Sequence, residues 1–156
     1  MKKTCDYAAT IASAKDLELI KDGDKYLFVT IQPKPGQNLG VAQEMLIYKY
    51  DVLLVVNKKE VKIVDVDKKT GELVGSNRII TCENIKHLVA SWFFGWALCL
   101  HTFDKDDYYW FDMYKNFGRF YQADMLKDMI EFIKQEYTIP QKEAAKATKL
   151  AKKNKQ

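Results

Sequence analysis

The chain has only two histidines, His87 and His101, and they bracket its densest apolar run, "HLVASWFFGWALCLHTF". Imidazole is the side chain best suited to proton transfer near neutral pH and a common metal ligand. Two of them without a nearby carboxylate or cysteine pattern make a poor site, so both read as structural or surface histidines. Cys5, Cys82 and Cys99 are widely spaced and form neither C-x-x-C nor a zinc-ligand pattern. Cys99 falls inside the apolar run and reads as a small buried hydrophobe. Asp65 and Asp67, and the "DKDD" at 104 to 107, lack the spacing and terminal glutamate of a calcium loop and read as solvated turn carboxylates. No G-x-S-x-G, H-E-x-x-H or G-x-x-x-x-G-K-[ST] occurs. The expectation is a protein with no enzyme activity, metal or cofactor.

Two features point to contact rather than catalysis. The "WFFGW" at the centre of the run would project Phe93 and Phe94 if the chain turns there, and amphipathic aromatics favour membrane interfaces and partner grooves. The last 15 residues carry Lys142, Lys146, Lys149, Lys152, Lys153 and Lys155 against Glu143, a net of +5, whereas the whole chain is +4. The body is therefore nearly neutral and the basicity sits in a tail. Such a tail suits an anionic lipid surface, or nucleic acid bound without sequence selection, if it is more than a solubilising end.

A chain of 156 residues, 47% hydrophobic and 13% aromatic, suffices for one domain with a real core. Leu88 to Leu100 is too short to cross a bilayer as a helix, which takes about 18 apolar residues or more. The opening "MKKTCDYAAT" is followed by Lys15 and Asp16, and Asp6 lies within it, which interrupts any signal-peptide core. With the odd cysteine count, the expected location is cytoplasmic, with peripheral contact at the inner membrane surface as an option.

The elements that must position these groups follow from periodicity. "TCDYAATIASAKDLELIKDGD" predicts a helix of about four turns, capped by Thr4 or Asp6 and ended by Gly23. From residue 26 the period becomes two, with Leu27, Val29 and Ile31 facing a core. "PKPGQNLG" is a loop, and strand-sized segments with turn signals recur to Met113, as in an antiparallel sandwich or barrel. Splitting the apolar run at "FFG" puts Leu88, Ala90, Trp92, Trp96, Leu98 and Leu100 on one large-residue face, favouring a hairpin over a buried helix. After "YKNFGR" the period returns to 3.6. Tyr121, Met125, Met129, Phe132 and Ile133, bordered by Leu126 and Ile130, then form the apolar stripe of a helix ending before Pro140. The predicted class is α+β, mainly β: an antiparallel barrel or two packed sheets closed by a C-terminal amphipathic helix, with an extra N-terminal helix; a barrel that is hollow rather than filled with side chains would make the alternative a small-ligand carrier. The divisions are 1–24, 25–137 and a basic, disordered tail at 138–156.

"DVLLVVNKKEVKIVDVD", "RIITCENIKHLVAS", "LCLHTFDKDDYYWFDM" and "DMLKDMIEFIKQ" follow one another in an order that resembles the bacterial pleckstrin-homology-like domains. The resemblance covers residues 25 to 136 or so and implies a barrel plugged at one end by its final helix, acting as a binding module for proteins or membranes. Phosphoinositide-binding members cluster lysines and arginines on the first hairpin. Here "IQPKPGQNLG" offers Lys34 alone, so the resemblance does not carry inositide specificity.

Overall fold

The computed structural model describes residues 7–32, 50–92, 95–104, 107–117 and 120–154. Helix α1 (Tyr7–Asp16) precedes strands β1 (Lys25–Ile31), β2 (Tyr50–Val56), β3 (Glu60–Asp67) and β4 (Leu73–Thr81). A 3-10 turn at Cys82–Asn84 leads to β5 (Ile85–Trp92), β6 (Trp96–Thr102) and β7 (Tyr108–Met113). A short hairpin, β8 (Asn116–Phe117) and β9 (Phe120–Tyr121), leads into α2 (Ala123–Ile133), a π turn at Lys134–Thr138 and α3 (Ile139–Asn154).

The seven main strands form one antiparallel sheet in the order β4-β3-β2-β1-β7-β6-β5. The class is therefore the expected one, α+β with a mainly antiparallel sheet and a helix at each end. The expected closed barrel is not formed: β4 and β5 are the two edges and share no ladder among the described residues. Side chains bridge that corner instead. Arg78 on β4 reaches Asp107 at 2.7 Å and lies over the Tyr109 ring at 5.0 Å.

Both faces of the sheet carry a core. On one, Leu27, Val29, Leu54, Val61, Leu88, Leu98, Leu100 and Phe111 pack with Leu126, Met129 and Ile133 of α2. This is the stripe that the 3.6-residue period marked, except that Tyr121 lies in β9 and is exposed. On the other face, Phe28, Leu53, Val55, Val64 and Val66 pack with Ala14 of α1, Ile20 and Phe117. The alternation in β1 suggested one committed face, yet Phe28 is as buried as Leu27. Helix α1 explains this by serving as the second cover. It is held by the Thr10 hydroxyl donating to the Gly71 carbonyl at 2.6 Å and the Tyr7 hydroxyl donating to Asp51 at 3.1 Å.

Two boundaries differ from expectation. Helix α1 stops at Asp16 rather than near Gly23, because Glu18 takes a left-handed conformation (φ 58°) and Leu19 N–H bonds back to the Ala14 carbonyl at 2.9 Å. Pro140 does not end the last helix. A π turn, in which Ile139 N–H reaches back to the Lys134 carbonyl, widens the backbone just where proline lacks an N–H and its ring would crowd a tight α-turn. Residues 139–154, expected as an unordered tail, therefore continue an existing helix. Helix nucleation is the costly step, and alanine and lysine extend a formed helix readily.

Gln122 solves a problem of the central strand. Its N–H and C=O partners lie where β1 has run past the end of β7: the Gln122 side chain accepts from Phe28 N–H at 3.1 Å and donates to the Phe28 carbonyl at 2.8 Å. A buried backbone must have partners, and one amide side chain here replaces a strand.

Candidate functional site

The lysine-rich segment becomes a site through the helix that carries it. Thr138 donates to the Leu88 carbonyl at 2.8 Å and Gln141 accepts from Leu88 N–H at 3.1 Å, fixing the start of α3 on the edge strand β5. Beyond Gln141, all of residues 142–154 are exposed. At about 100° per residue, Lys142, Lys146, Lys149 and Lys153 fall within an arc of about 60°, a line of ammonium groups about 16 Å long. Lys152 sits about a quarter turn to one side. Leu150, large, apolar and exposed, flanks the other side, and Ala144, Ala147 and Ala151 lie opposite. None of the ion pairs among the described residues involves these lysines. The stripe escaped sequence reasoning because ending the helix before Pro140 removed the periodicity that aligns it.

The apolar run is a hairpin, as its alternation predicted. Trp92 pairs with Trp96 in a register that continues through Ala90 and Leu98 to Leu88 and Leu100. Gly95 turns the chain with φ 148°, a conformation suited to glycine. Leu88, Leu98 and Leu100 are buried, but Trp92, placed by alternation on the core face, is 67% exposed. It lies at the end of the hairpin. Trp96 is half-buried and lines a groove of about 340 Å³ with Lys115, Ala123, Leu126, Lys127, Ile130 and Glu131. Phe93 and Phe94, together with Lys34 and Lys155, lie outside the described residues.

The tryptophan end and the lysine stripe are not brought together. Helix α2 begins beside Trp96, and by Gln141 the chain has reached Leu88, so the helical rod runs away from the hairpin's end.

His87 and His101 are register partners with ring centres 6.4 Å apart, and His101 stacks on Tyr108 at 5.5 Å. Cys99 is half-buried, and burial pushes its thiol up, away from the reactive thiolate. The Asp67 carboxylate accepts from Lys69 and Thr70 N–H groups within its own turn. Asp107 is occupied by Arg78. Burial pushes the Asp65 carboxyl up. Among the described residues no three His, Cys, Asp or Glu side chains are grouped to hold a metal ion, and no helix is long and apolar enough to cross a membrane.

No protein-family profile matches the chain, and no curated protein does. Among solved structures, the hSac2 domain from human phosphoinositide phosphatase Sac2 is similar at 14% identity and a TM-score of 0.43, covering 82% of this chain and 80% of that one. A likeness at that level carries no argument about what this chain does.

Proposed function

We propose that the protein is a binding module, acting without catalysis, that docks reversibly on an anionic membrane surface through the lysine face of α3. The observation that carries this is the alignment of Lys142, Lys146, Lys149 and Lys153 on one line of the helix's exposed stretch, residues 142–154. A rod touches a plane along a single line, so all four ammonium groups can meet anionic headgroups at once. A helix seated in a nucleic-acid groove meets phosphates on two walls and needs cations on both flanks; here the flank opposite Lys152 carries Leu150 and Glu143. A pleckstrin-homology-like assignment is part of the proposal. The strand order β4-β3-β2-β1-β7-β6-β5, with α2 packed over one face, supports it.

The magnitudes describe a weak contact. Each lysine near an anionic surface contributes about 1 kcal/mol, so four supply about 4 kcal/mol. Partial burial of Leu150 adds about 1 kcal/mol, for a Kd of about 0.1–1 mM. Charge attraction over a Debye length of about 10 Å at 0.1 M salt makes the binding strongly salt-dependent.

Sedimentation with vesicles of phosphatidylcholine, with and without phosphatidylserine, tests the reading. The wild-type chain should bind only the anionic vesicles, release at high salt, and lose binding in the K142E/K146E/K149E/K153E variant with its helical circular dichroism retained. Undiminished binding by that variant overturns the assignment of the site. Binding to duplex DNA at salt concentrations where vesicles are ignored overturns the membrane reading in favour of nucleic acid.

A further inference from the structure

We propose that His87 and His101 form a two-point chelate for a divalent transition-metal ion of the zinc, copper or nickel class. They sit side by side on β5 and β6 as register partners, on the face of the sheet opposite the Leu88, Leu98 and Leu100 core. Helix α1 covers that face on the side of β1 to β4, over Phe28, Leu53, Val55, Val64, Val66 and Leu73, and leaves the two imidazoles accessible.

The spacing suits a shared ion. Metal–nitrogen bonds of about 2.0–2.1 Å place the centres of two imidazoles on one ion about 5 to 6 Å apart. The rings stand 6.4 Å apart, so a closure of about 1 Å brings both to one ion, within reach of rotation by the exposed His87. His101 is the fixed member. It is half-buried and stacked nearly parallel on Tyr108, 12° between ring planes, so little orientational freedom is left for an ion to remove.

Imidazole ligands select zinc, copper and nickel over calcium and magnesium, which prefer oxygen. Among the described residues no third His, Cys, Asp or Glu side chain is grouped with the pair. The remaining coordination positions are therefore left to water. Binding is correspondingly weaker than at a four-ligand site, and its structural effect is to staple the edge strand β5 to β6. This inference stands apart from the membrane reading, since neither histidine belongs to the lysine helix.

The test is a zinc titration of the full chain followed by the NMR signals of its two imidazoles, which keeps any thiol binding out of the readout. Both signals should respond together and saturate at one ion per chain, and zinc should raise the Tm. His87→Ala should weaken the imidazole-detected affinity at least tenfold and remove the Tm gain; His101→Ala should do the same. Tyr108→Phe, which keeps the ring stack, should bind as the wild-type chain does. A response from one imidazole alone, or wild-type affinity in His87→Ala, overturns the proposal. Because His87 is exposed, its alanine variant is expected to fold and decides the matter even if His101→Ala does not.

Discussion

Replacing Gln122 with alanine should destabilise the protein by about 2–6 kcal/mol. The side chain is 1% exposed and holds both backbone polar groups of Phe28, accepting from the N–H at 3.1 Å and donating to the carbonyl at 2.8 Å. A third bond, from its amide to the Tyr114 carbonyl at 2.8 Å, lies nearer solvent and is more readily replaced by water. Alanine leaves the two Phe28 groups without partners inside the fold, at about 1–3 kcal/mol for each buried group stranded, a large share of the roughly 5–15 kcal/mol that stabilises a typical domain. Gln122→Glu sharpens the reasoning. A carboxylate still accepts from Phe28 N–H but cannot donate to the carbonyls, whereas a protonated carboxyl can do both. Burial and the two facing carbonyls raise the folded pKa of that glutamate above its unfolded value of about 4.3. The folded state then binds the extra proton. The penalty is fully present above the folded pKa and is lifted as pH falls through it towards the unfolded value. Urea denaturation at several pH values measures both effects. Gln122→Ala within 1 kcal/mol of wild type, or Gln122→Glu with a deficit that does not shrink in acid, would refute the role given to this side chain.

Glu18→Gly should stabilise the protein by about 1 kcal/mol, because Glu18 holds a left-handed conformation (φ 58°) that glycine adopts freely; a drop in Tm would show that its side chain contributes more than its backbone strain costs. Arg78→Ala should cost about 1–2 kcal/mol in urea denaturation, combining the loss of a partly exposed ion pair to Asp107 with the contact over the Tyr109 ring. Asp51→Asn should match or exceed wild-type stability at neutral pH. Burial raises the Asp51 carboxyl above its ordinary 3.8, outweighing the opposing effects of the Tyr7 hydroxyl and Lys68. The folded state therefore takes up a proton more readily than the unfolded chain, and the wild type should gain on Asp51→Asn as pH falls through the raised value towards 3.8; a gain in the opposite direction contradicts the burial argument.

How far the fold could be read depended on which contacts were local. The hairpin at Trp92 and Trp96 was legible because alternation and Gly95 are neighbours in the chain. The exposure of Trp92 was not, because it depends on where the hairpin ends relative to a groove wall from α2. The face of β1 carrying Phe28 looked secondary until α1, more than ten residues upstream, was seen to cover it. Glu18 as the helix stop went unread because left-handed conformation is a property of glycine first, and Gly23 stood nearby. At the candidate site all the lysines were visible as charge. Their alignment was hidden by the rule that proline ends helices, which a π turn evades.

The junction at Leu88 offers a built-in reporter. Its amide hydrogen is held by a single side-chain oxygen, that of Gln141, rather than by a neighbouring strand. The time it takes to exchange with deuterium therefore records how often the base of the lysine helix lifts from the sheet. Any ligand that steadies the helix should slow that one proton, and any pull on the helix is transmitted first to the middle of an edge strand.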